Sequence, residues 1–208
     1  MTAQFIPTAK PRFETIDEFL SFVQCLTDDW QPLFMCGFET STARVPILVE
    51  LDPAFFKNDA AKDQLVVETC FIAAQESPTY IAYATSAWVT EVGATQGRAS
   101  RHEVLQVLVG QRASDGTLGE TRVAFAEITG GPGLPPVGTW SVMDAGVIGA
   151  GRLAVALDLA FVAAKQYPGF VATTSDGLSA DERDSVFKAA IAGRLARMTK
   201  SVGEERVA

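Results

Sequence analysis

The sequence contains a single histidine, His102, and only three cysteines, Cys25, Cys36 and Cys70. A zinc site draws several Cys, His or acidic ligands together, and these four residues fall on separate predicted elements. A Ser-His-acid triad or a Cys-His pair would have to use His102. That residue opens a predicted strand after a polar loop, where a solvated imidazole is ordinary. There is no Gly-x-Ser-x-Gly elbow and no P-loop. Adjacent carboxylates such as Asp28–Asp29 and Asp181–Glu182 read as caps or solvated groups at helix ends. The sequence therefore points to no metal, no cofactor and no catalytic residue. An odd number of widely spaced cysteines is not a disulfide framework, and three buried thiols in a reducing cytoplasm are expected.

Positive charge is also scarce. Seventeen Lys and Arg face 25 Asp and Glu, for a formal net charge of −8. Nucleic-acid binding draws much of its affinity from neutralised phosphates and needs a basic stripe. The one basic group, Arg194, Arg197 and Lys200, is surrounded by acids. Nucleic acids and anionic membrane surfaces are excluded as expected partners. Long apolar runs are missing as well. Leu153–Ala164 is broken by Asp158 and is too short to span a bilayer. The opening "MTAQFIPTAKPRFE" lacks the apolar core of a signal peptide. A cytoplasmic location is the expectation.

What is present suits a packed domain. Of 208 residues, 48% are hydrophobic and 20% charged, enough for a core without metal or disulfide staples. Residues 1–208 read as one α+β domain, with 1–13 and 202–208 expected to fray. Thr15 and Glu18 form a capping box before the stripe Ile16, Phe19, Leu20, Val23 and Leu26, which predicts a helix. "QPLFMCGF" and "ARVPILVEL" predict a hairpin. Val45, Ile47, Val49 and Leu51 alternate there with Arg44, Pro46, Leu48 and Glu50, and Pro46 suggests an edge or a bulge. A second helix follows, capped by Asn58 or Asp59, with Val66, Val67, Cys70, Phe71 and Ala74 on its apolar face.

The middle of the chain is β-rich. Tyr80–Glu91, His102–Gln111 and Gly119–Thr129 predict an antiparallel meander. The loop "GGPGLPPVG" must interrupt the sheet. Two helices come last: an alanine-rich, mostly buried one over Arg152–Lys165, and one capped by Ser179 and Glu182. The latter carries Val186, Phe187, Ala190, Ile191, Leu195 and Met198 at helical spacing. Segregated strands and helices argue for α+β, an antiparallel sheet packed by helices.

One stretch imitates a dinucleotide-binding turn. Gly149, Gly151 and Ala154 have the spacing Gly-x-Gly-x-x-Ala, and Asp176 follows a second short apolar run. The fingerprint works only where a strand enters the turn, a helix leaves it and parallel strands surround it. Here hairpins lie upstream, Asp144 and Gly146 interrupt the run that would be the first strand, and little chain follows. The segment is a decoy: a turn that starts a packed helix.

The most suggestive group is Ser86, Trp88 and Thr90 on one face of the first meander strand. Arg98 and Arg101 lie in or beside the next loop, and Glu103 starts the following strand. A tryptophan near an arginine can receive a planar ligand. It can equally be a cross-strand packing pair with an Arg–Glu contact at a hairpin end. At these residues the segment Tyr80–Thr129 resembles a loosely defined group of uncharacterised bacterial and phage proteins. In that group a strand ending in Ser-Glu-Ala-Trp is followed by a polar loop, an Arg-x-Glu and an apolar strand. The matching residues are Thr85-Ser86-Ala87-Trp88 and Arg101-His102-Glu103, with Ser86 where the glutamate would stand. The resemblance implies an α+β fold and no established activity. Three functions follow as expectations. The first is a non-catalytic protein acting through protein–protein interaction or self-assembly. The second is a small-ligand or nucleotide-binding protein using the Trp88/Arg101 region or the Gly149–Gly151 turn. The third is an enzyme of unassigned chemistry.

Overall fold

A computed structural model describes residues 12–27, 32–90, 101–130, 137–144, 152–169 and 179–205. The first helix, α1 (Ile16–Leu26), starts where expected. The Thr15 hydroxyl accepts the Glu18 N–H at 3.2 Å. The Glu18 carboxylate reaches back to the N–H of Glu14 at 2.7 Å, one residue earlier than a standard capping box. Ile16, Phe19, Leu20 and Val23 are buried. Phe13, the last residue of the stretch expected to fray, is instead buried beside them and touches the Phe19 ring edge-on at 5.0 Å.

The strands are β1 (Leu33–Gly37), β2 (Ile47–Glu50), β3 (Tyr80–Thr90), β4 (Arg101–Arg112), β5 (Leu118–Glu127) and β6 (Ser141–Asp144). They form one sheet in the order β2-β1-β3-β4-β5-β6, and every neighbouring pair of strands is antiparallel. The meander lies where the alternation put it, and β2 with Pro46 at its entry is an edge strand. The remaining helices are α2 (Asp59–Glu76), α3 (Arg152–Gln166) and α4 (Ala180–Glu205). Asn58 caps α2, its side chain accepting the Ala61 N–H at 2.9 Å. Ser179 and Glu182 make the reciprocal box at α4, with bonds of 3.3 and 2.8 Å. The chain is α+β, as the segregation of elements indicated.

Alternation along the strands divides the core into layers. On one face Phe34, Cys36, Ile81, Tyr83, Leu108 and Val123 share a core with α2 and α3, onto which α4 packs. On the other Leu33, Met35, Tyr80, Ala82, Ala84, Val107, Val109 and Ala124 pack under α1. The α3 side chains facing inward are mostly alanines, so it sits close to α2.

Three further expectations need correction. Ser141–Asp144, read as a poor strand, is the sixth strand of the sheet. Asp144 ends the strand, opposite Arg122 in the register. Cys25, expected to be buried, is exposed, because its position falls off the α1 stripe. Val186, placed on the apolar face of the last helix, is exposed. Phe187, Ile191 and Leu195 take the core-facing line there, one residue round the helix.

Close approach dictates one glycine. A Cβ on Gly37 would stand 2.6 Å from Phe19 Cε2, so the α1 ring lies directly on the β1 backbone. Gly37→Ala is expected to destabilise the protein by about 1–3 kcal/mol through overpacking. Urea unfolding followed by circular dichroism checks this, and an unchanged midpoint contradicts the packing described.

Candidate functional site

The β3–β4 ladder sets Ser86 opposite Leu105, Trp88 opposite Glu103 and Thr90 opposite Arg101. Directly opposed residues share a face of the sheet. The register positions of Ser86, Trp88, Thr90, Arg101 and Glu103 therefore fall on the α1 side of the sheet. His102 stands opposite Val89 in the same register; the side chains of both, and of Thr90, lie outside the described residues. Arg98 lies outside the described residues. The side chains of Trp88 and Arg101 also lie outside them, and with these the proposed tryptophan–arginine stack and the Arg–Glu contact.

The ground beneath the group is apolar. α1 packs over β3, β4 and β5, with its core reaching Ala84 and Val107. Beyond these residues Leu105, Ala126 and Val137 form a smaller cluster bordered by Ile128 and Trp140. Ser86 and Glu103 are half-buried at its end. The structure thus brings a hydroxyl, a carboxylate and two indole-bearing positions to one end of one face. Among the described residues no three His, Cys, Asp or Glu side chains are grouped as a metal would need.

The apparent dinucleotide turn stands apart. Gly149 and Gly151 lie outside the described residues. Ala154 is in the first turn of α3, half-buried against the larger core. The strand before it, β6, is antiparallel to β5, whereas the fingerprint sits in a parallel βαβ unit. At the start of α3 the Arg152 guanidinium is held by the Asp63 carboxylate at 2.7 Å, the Asp59 carboxylate at 3.2 Å and the Asp59 carbonyl at 2.8 Å. This cation ties α3 to the first turn of α2, a pairing that spacing along the chain could not reveal.

The other perturbed groups are structural. Burial raises the Cys36 thiol well above its usual range; Glu76 adds to this and Arg44 partly offsets it. Burial alone raises Cys70. Burial also raises the Tyr83 phenol, with the Thr69 hydrogen bond opposing; the two hydroxyls are 2.6 Å apart. Lys188 is raised by its hydrogen bonds to Glu68 and Asp184, at 3.1 and 3.2 Å, and so clamps α4 to α2. Arg44 pairs with Glu76 and lies 3.8 Å over the Phe38 ring.

Reasoning from sequence missed a different set: the exposed apolar side chains Val45, Leu48, Val142 and Met143 at the two ends of the sheet. For Leu48 a signal existed, since it is the apolar residue on the otherwise polar side of its strand. No family model matches this chain, no curated protein is similar to it, and no solved structure matches it.

The thiols give a direct check on this geometry. In the native protein a thiol reagent is expected to modify Cys25 quickly, because it is exposed. Cys36 and Cys70 should react only as the protein unfolds, since both are buried and held as neutral thiols. Rapid modification of two or three cysteines under native conditions contradicts the burial described.

Proposed function

We propose that this protein acts by binding protein, another chain or its own, and performs no chemistry itself. One observation carries the reading. Among the described residues five large apolar side chains are strongly exposed: Val45 (52%), Leu48 (46%), Val142 (53%), Met143 (42%) and Val186 (60%). Four of them sit in or beside β2 and β6, the terminal strands of an open sheet. Scattered apolar residues on a surface mean little, but apolar side chains collected on sheet edges mark templates for strand pairing. The scarcity of positive charge favours a protein over a nucleic acid as partner. A cytoplasmic setting, where thiols stay reduced, belongs to the same reading. So does membership of the bacterial and phage group that the Trp88 and Glu103 strands resemble.

A second reading rests on Ser86, Trp88, Arg101 and Glu103 sharing one end of the α1 face. That end would take a small planar ligand with polar edges.

Sedimentation velocity of the full chain over a range of concentrations separates the two. Reversible self-association is expected, lost in a variant carrying Leu48→Lys and Val142→Lys together. A chain that stays monomeric throughout removes the self-assembly reading. A saturable rise in Tm with a nucleotide or other planar ligand, abolished by Arg101→Ala, favours the second reading, because a ligand that binds only the folded state must stabilise it.

A further inference from the structure

We draw no further inference here: the strongest candidate, the outer edge of β2 with its exposed Leu48 and the neighbouring Val45, carries nothing, because Arg44 at its entry is paired with Glu76 of α2, Asp52 at its exit caps the following turn, and nothing in the structure shows what covers it.

Discussion

The fold depends on a strand segment buried from both sides. Every residue from Tyr80 to Thr85 is buried, because α1 closes one face of the sheet and α2 and α3, backed by α4, close the other. Such a strand admits no uncompensated polar atom. The Tyr83 phenol meets this condition through the Thr69 hydroxyl, which in turn bonds the carbonyls of Leu65 and Val66, each at 3.0 Å. The hydrogen bond fixes α2 to the centre of the sheet at a polar point within an apolar layer. Shape then supplies what polarity does not. Gly37 lets the Phe19 ring approach the β1 backbone, and the alanines of α3 let that helix lie against α2.

Around this core the long-range ion pairs join helices to their neighbours. Arg152 reaches α2 from α3, Lys188 reaches α2 from α4, and Arg122 joins β5 to Asp17 of α1 at 3.4 Å. Their side chains are all partly exposed, so each adds modestly to stability. They join elements that apolar burial has already brought together.

The parts of this fold legible in the sequence were those written in short-range periodicity. The stripe of α1, the caps at Thr15, Asn58 and Ser179, and the alternation of β3, β4 and β5 each depend on residues a few positions apart. The edge position of β2 followed from Pro46. Other features depend on partners distant in sequence. β6 has four residues, too few for alternation to register. The exposure of Cys25 and Val186 turns on where a neighbouring layer ends. At the candidate site, alternation grouped Ser86, Trp88 and Thr90 on one face of their strand, and only the register of the ladder sets Arg101 and Glu103 opposite them. The exposed ends of the sheet stayed hidden, since a sequence shows which residues are apolar but not which strands come last.

The sheet order also bears on how the chain reaches this state. β3, β4, β5 and β6 are each paired with the strand next in sequence, so each pairing closes a short loop. β1 meets β3 only after the chain has passed through β2 and all of α2. Loop-closure entropy grows with the length of chain enclosed, and pairings between sequence-distant strands form more slowly than local ones. The meander is thus the kinetically accessible half of the sheet. Pairing β1 with β3 encloses β2 and all of α2, and is the longest closure in the sheet.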